Sequence, residues 1–205
     1  MSENSKSLNI LIEKSIKQNW ENLALTDFNG SSFQYRDLGR KIAKLHLMYE
    51  HIGLKHGDKI ALCGRNSAQW SIAFLSAITY GAVAVPILHE FKADNIHHLV
   101  NHSNSRLLYV GEAIWENLSP SEMPEVEAIA QMENFSVLYA KDSELKRDRL
   151  NIDAIMQERY GDSFGPDSLC FYEDSPEELA LINYTSGTSG FSKGVMIPYR
   201  ALLSN

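Results

Sequence analysis

The residues best equipped for chemistry stand together in Tyr184-Thr185-Ser186-Gly187-Thr188-Ser189-Gly190-Phe191-Ser192-Lys193-Gly194-Val195-Met196. Its three glycines accept positive φ without strain, so the backbone can curl until successive N–H groups point into one concavity that suits an anion. Thr185, Ser186, Thr188 and Ser189 add uncharged donors, and Lys193 adds a mobile ammonium able to follow a phosphate. The guest such a bend fits is a polyphosphate. A Gly/Ser/Thr-rich run also describes a flexible connector, but the flanks argue against that. Leu179–Tyr184 before it and Val195–Ile197 after it are apolar runs of strand length, which sets the bend between two buried strands. A Walker A loop fails on spacing, because the fifth residue after Gly187 is Ser192 and Lys193 precedes Gly194.

The rest of the chain must position that bend. With 205 residues and 44% hydrophobic content it can bury a substantial core. A net charge of -7 argues against nucleic-acid binding by field alone. Cys63 and Cys170 are too few for a disulfide framework, and both sit in apolar surroundings as buried small residues do, which points to a reducing compartment. The N-terminus lacks a charged-then-apolar signal pattern and no apolar run reaches membrane-spanning length, so a cytoplasmic location is expected.

Leu8, Leu11, Ile12, Ile16 and Trp20 recur at helical spacing and predict a first amphipathic helix that packs on the domain; a membrane-surface role would rest on Lys6, Lys14 and Lys17 alone. Leu23–Phe28, Asn29-Gly30 and Ser32–Tyr35 read as a hairpin closed by a type I′ turn. A helix with Leu38, Ile42, Leu45, Tyr49 and Ile52 on one face follows, stopped by Gly53. From there strands and helices alternate. Ile60–Cys63 and Ala82–Pro86 are uninterrupted apolar strands, separated by a helix capped by Asn66 or Ser67 and ended by Gly81. A helix over 93–103, a strand over 107–110, a short helix near Trp115 and a strand over 135–139 continue the pattern. This order predicts a doubly wound α/β fold, a largely parallel sheet with helices on both faces.

Other residues invite weaker readings. Ile152, Ile155, Met156 and Tyr160 suggest one more helix, Lys141–Arg149 a solvated mixed-charge run, and 161–178 an acidic connector delivering the chain to the bend. His98 and His102 stand one helical turn apart beside His97, a spacing able to hold a metal, yet no nearby Cys or carboxylate pair completes a site. His89 and Glu90 follow the second parallel strand, at the end where open α/β sheets bind ligands. Asp27, Asp58 and Asp94 fit turns and caps better than acid–base chemistry.

The bend resembles the phosphate-binding signature of the adenylate-forming enzymes, [ST]-[ST]-G-[ST]-[ST]-G-x-[PS]-K-G, with Ser189 and Ser192 where many members have Thr and Pro. Phe33–Leu38, Gly57–Ala61, Asn66 and Tyr80–Pro86 are similar to early core segments of the same superfamily, with Gln34 in place of its usual threonine. The likeness runs from about Asn22 onward, and only 113–174 lacks matching segments. It implies that residues 1–205 are the N-terminal part of the AMP-binding domain, ending just after the phosphate loop 184–196, with the later subdomain and the C-terminal domain absent.

The resemblance further implies that a carboxylic acid attacks the α-phosphorus of ATP, giving an acyl-adenylate and pyrophosphate, after which coenzyme A takes the acyl group. On that analogy Thr185, Ser186, Gly187, Thr188, Ser189, Gly190 and Lys193 hold the β- and γ-phosphates, and Mg²⁺ touches Thr185. No catalytic acid or base falls in this portion, so the chain alone is expected to be inactive and, with apolar surface uncovered, to self-associate. The sequence looks most like a long-chain fatty acyl-CoA synthetase; the alternatives are an amino-acid adenylation domain and a non-catalytic nucleotide-binding module.

Overall fold

The computed structural model describes residues 7–28, 30–142, 152–185 and 193–204. Helix α1 (Leu8–Gln18) opens the chain, followed by the antiparallel pair β1 (Leu23–Thr26) and β2 (Ser32–Gln34). Then come α2 (Tyr35–Ile52), β3 (Lys59–Cys63), α3 (Ala68–Thr79), β4 (Val83–Ile87), α4 (Ala93–His102) and β5 (Ser105–Val110). Short α5 (Glu112–Trp115), β6 (Ala128–Gln131), β7 (Val137–Ala140) and α6 (Ile152–Tyr160) lead to β8 (Leu179–Thr185), β9 (Lys193–Pro198) and α7 (Tyr199–Leu203).

Seven strands form one sheet in the order β7-β6-β5-β3-β4-β8-β9. The inner five, β6 to β8, run parallel, and β7 and β9 close the edges antiparallel. The largely parallel, doubly wound reading therefore holds. Its cause is visible in β3, where Ile60 and Leu62 join one core with α2 and α3 while Ala61 and Cys63 join a second with α4. A strand buried on both faces must be apolar at every position, which is why it reads as an unbroken run.

Local capping sets the helix ends. Ser67 is the cap of α3, accepting from Trp70 N at 3.1 Å, and Gly53 ends α2 at φ 75°. Gln34 begins α2 without a side-chain cap of its own; the reciprocal bond is supplied by Asp37, whose carboxylate accepts from Gln34 N at 2.9 Å.

Several expectations are corrected. Thr26 pairs with Ser32, so the β1–β2 loop spans 27–31, and Gly30 lacks the positive φ that a type I′ turn at Asn29-Gly30 requires. Asp27 serves a turn and a cap as expected, its carboxylate accepting from Ala68 N at the start of α3 at 2.7 Å. On α1, Leu11 points outward while Asn9 is fully buried, its amide donating to Ile78 O at 2.8 Å. Strand β6 has no counterpart among the elements predicted from sequence, and the strand expected over 135–139 begins at Val137, after Phe135 at φ 60°. Cys170 is exposed, unlike Cys63.

The 161–178 segment is docked, with Leu169, Phe171 and Asp174 buried. Asp174 accepts from Ser7 Oγ, Leu8 N (3.2 Å) and Asn9 N (2.8 Å), clamping the N-terminus of α1. Strand β9 is not buried as expected; Val195 and Met196 stand in solvent at 48% and 68% exposure. Of the mixed-charge run over 141–149, residues 143–149 lie outside the described residues.

Candidate active site

Because β8 runs parallel to β4, its end at Thr185 lies at the carboxyl edge of the sheet, with the ends of β3, β4 and β5. The chain leaves β3 to form β4 on one side and then crosses back to form β5 on the other. That reversal opens a crevice between strand ends, the usual ligand position in such sheets. Two cavities occupy it. One, of about 360 Å³, is lined by Asn66, Trp70, Leu88, Asn183 and Tyr184; another, of about 610 Å³, by Arg65, Gln69, Glu112 and Glu133. His89 lines both, its Nδ1 3.3 Å from the Glu90 carboxylate. Reading from sequence placed His89 near a pocket but gave it no role.

At this edge β8 and β9 form a hairpin in which Thr185 pairs with Lys193 and Tyr184 with Gly194. Directly opposed residues project on one face, so the Thr185 hydroxyl and the Lys193 ammonium stem from the same side, both exposed. Ser186, Gly187, Thr188, Ser189 and Gly190 lie outside the described residues.

The other face of the hairpin is anchored. Tyr184 is 8% exposed and its hydroxyl lies 2.7 Å from His102 Nδ1 at the end of α4. Burial pushes the Tyr184 phenol upward, against a smaller opposing effect from Ser103. No signal in the sequence joins residues so far apart. The neighbouring histidines also have protein contacts: His97 Nε2 accepts from Ser119 N at 3.1 Å, and the His98 ring lies 5.8 Å from that of His102. Among the described residues no group of three or more His, Cys, Asp or Glu side chains converges on a metal position.

The remaining titratable candidates serve structure. Burial, reinforced by the charge of Glu90, pushes the Cys63 thiol up to about 12, so it is no nucleophile at neutral pH. Asp58 accepts from Lys55 N at 2.7 Å and Arg106 Nη1 at 2.8 Å, a turn and an ion pair.

The mixed sheet has its crevice at the carboxyl edge, and beside it stand the Thr185 hydroxyl and the Lys193 ammonium of the β8–β9 pair. The chain belongs to the AMP-binding enzyme family, whose model matches residues 12–205. It is 28% identical over 204 residues to the long-chain-fatty-acid–CoA ligase ACSBG2 of Rattus norvegicus, covering 92% of this chain and 28% of the rat protein. It is 26% identical over 199 residues to surfactin synthase subunit 2 of Bacillus subtilis, covering 97% of this chain and 5% of that protein.

Among solved structures, the fold is similar to the anthranilate CoA ligase AuaEII in complex with anthranoyl-AMP, with a TM-score of 0.73 at 18% identity over 95% of this chain and 34% of that one. It is similar also to the NpsA N-terminal subdomain of Klebsiella oxytoca, with a TM-score of 0.65 at 20% identity over 95% of this chain and 41% of that one. The chain thus spans well under half the length of these relatives. No helix among the described residues is long and apolar enough to cross a membrane.

Proposed function

We propose that residues 1–205 are the N-terminal part of a cytoplasmic, ATP-dependent ligase that activates a long-chain fatty acid through an acyl-adenylate and passes the acyl group to coenzyme A. The observation that carries this reading is the Thr185–Lys193 pairing at the carboxyl edge of the sheet, which sets a hydroxyl and an ammonium on one face beside the crevice. In the proposed reaction the carboxylate oxygen bonds to the α-phosphorus of ATP while the bond to the pyrophosphate oxygen breaks. Negative charge gathers on the leaving group, so the residues needed are donors held in place more than acids or bases.

Lys193 would meet the β- and γ-phosphates, together with the hydroxyls and N–H groups of Ser186, Gly187, Thr188, Ser189 and Gly190. Thr185 would be the contact in this chain for Mg²⁺, whose charge would offset that of the phosphates. The exposed Thr185 hydroxyl fits that role, because Mg²⁺ carried in on a nucleotide draws most of its ligands from phosphate and water.

Likeness to fatty acyl ligases and the run Phe191-Ser192-Lys193-Gly194-Val195-Met196 support a fatty acid as substrate. Likeness to surfactin synthase supports the second reading, an amino-acid adenylation domain. Exposed Val195 and Met196 on edge strand β9 favour self-association of the chain taken alone. The test is carboxylate-dependent ATP–pyrophosphate exchange by the full-length protein, with fatty acids and amino acids in one panel. Long-chain acids should support exchange, and Lys193→Ala should lower kcat/KM at least about tenfold, the loss of one charge-assisted contact. Unchanged kinetics in Lys193→Ala would overturn the assignment.

A further inference from the structure

His102 lies outside the crevice, yet it touches Tyr184, near the end of β8. Its Nδ1 is 2.7 Å from the Tyr184 hydroxyl, and the two rings meet edge to face with centroids 5.7 Å apart. Tyr184 in turn lies across Gly194: a Cβ built on Gly194 would stand 3.2 Å from Tyr184 Cε1 and 2.9 Å from Ile182 Cγ2. A larger residue at that register would have to push Ile182 and the ring aside. A strand pair that slips by one residue turns every side chain of the slipped strand to the opposite face. In β9 such a slip would carry Lys193 away from Thr185 and move Val195 under Tyr184.

We infer that His102 is a positioning residue: by holding Tyr184 down on Gly194 it locks the β8–β9 register and keeps Lys193 on the face of Thr185. The inference rests on the phosphate-binding reading of the hairpin, and it adds to that reading a control element on a different helix. The stack Gly194–Tyr184–His102 ties the hairpin to the last turn of α4, an element buried through Ile96, Leu99 and Val100.

In the full-length protein, exchange kinetics at varied ATP and varied acid are compared for His102→Ala, His102→Asn, Tyr184→Phe and the double variant His102→Ala/Tyr184→Phe. Loss of this one partly buried hydrogen bond should raise KM for ATP about fivefold in His102→Ala and in Tyr184→Phe. KM for the acid should stay unchanged, the double variant should be no worse than either single one, and His102→Asn, whose amide reaches the Nδ1 position, should recover most of the loss. An unchanged KM for ATP in His102→Ala, or two losses that multiply in the double variant, would overturn the inference.

Should His102→Ala fail to fold, Gly194→Ala displaces the same ring from below and should raise KM for ATP likewise; an unchanged value there is equally fatal. Amide hydrogen exchange at 193–196 needs no catalysis and should quicken in His102→Ala and Tyr184→Phe. If wild-type protein exchanges pyrophosphate with no acid, the proposed function falls, while the exchange rates at 193–196 still decide for or against the lock.

Discussion

Acid should destabilise this fold through His46, a side chain far from the crevice. Its Nε2 lies 3.0 Å from Ser76 O and 3.2 Å from Thr79 Oγ1. A carbonyl only accepts, so Nε2 carries the proton of the neutral ring; Thr79 donates onward to Leu75 O at 2.6 Å. The rings of Tyr80, Phe171 and Tyr49 stand around it with centroids at 5.3, 5.7 and 6.1 Å. No ion pair to a carboxylate reaches His46 among the described residues. Burial therefore lowers its pKa from 6.5 to about 4, only partly offset by the Ser76 carbonyl.

The sign follows from proton counting. Below pH 6.5 the unfolded chain takes up a proton that the folded chain refuses until about pH 4, so stability is lost as pH falls through that window. The whole window is worth about 3 kcal/mol, and the part down to pH 5 about 2 kcal/mol. With a urea dependence of about 2 kcal/mol per molar, the unfolding midpoint should drop by about 1 M between pH 7 and pH 5. His46→Gln keeps a donor toward Ser76 O and removes the titration, so its midpoint should fall by about 1 M less over the same range. Carboxylates titrate alike in both proteins and cancel in the comparison. Parallel pH dependence in wild type and His46→Gln would refute the reasoning.

Removing the Asp174 carboxylate as Asp174→Ala should cost about 3 kcal/mol, since it leaves Ser7 Oγ and two amides of α1 without their acceptor; faster amide exchange confined first to residues 8–18 would report it. Gly81 sits at φ 81° with its missing Cβ only 2.7 Å from Tyr172 Cδ1, so Gly81→Ala should lose about 2–3 kcal/mol, read as a Tm lower by about 5–10 °C. A thiol reagent should label exposed Cys170 at once and buried Cys63 only on unfolding, with mass spectrometry assigning the sites. Labelling of Cys63 in the folded protein would contradict its burial.

What could be read from sequence was whatever depends on neighbours along the chain. The paired apolar strands β3 and β4, the apolar face of α2 and its stop at Gly53 all announce themselves locally. Strand β6 did not, because Ala128-Ile129-Ala130-Gln131 is short and becomes a strand only by pairing with β5 and β7. The Asn-Gly signal implied a two-residue turn, whereas the loop spans 27–31 and is closed by Asp27 N donating to Ser31 O at 2.9 Å. The Asp27 carboxylate reaches Ala68 N, a distant contact that no local pattern announces. The face of α1 was rotated because a polar residue, Asn9, is buried by its bond to Ile78 O while Leu11 is left out. At the candidate site the chemistry of 185–193 was legible because it is contiguous, whereas the His102–Tyr184 contact joins residues that no local pattern connects.

The neighbour of β4 on one side is β8, yet residues 88–178 intervene between them in the chain. During synthesis, at about 5–20 residues per second, the edge of β4 therefore waits roughly 5–18 s for its partner to leave the ribosome. The five strands before β8 on that sheet can assemble in the meantime, with a twice-apolar edge bare to other nascent chains. Chaperone demand should consequently peak before the hairpin emerges, and a ribosome pause placed ahead of residue 179 should lower soluble yield more than one placed after residue 198.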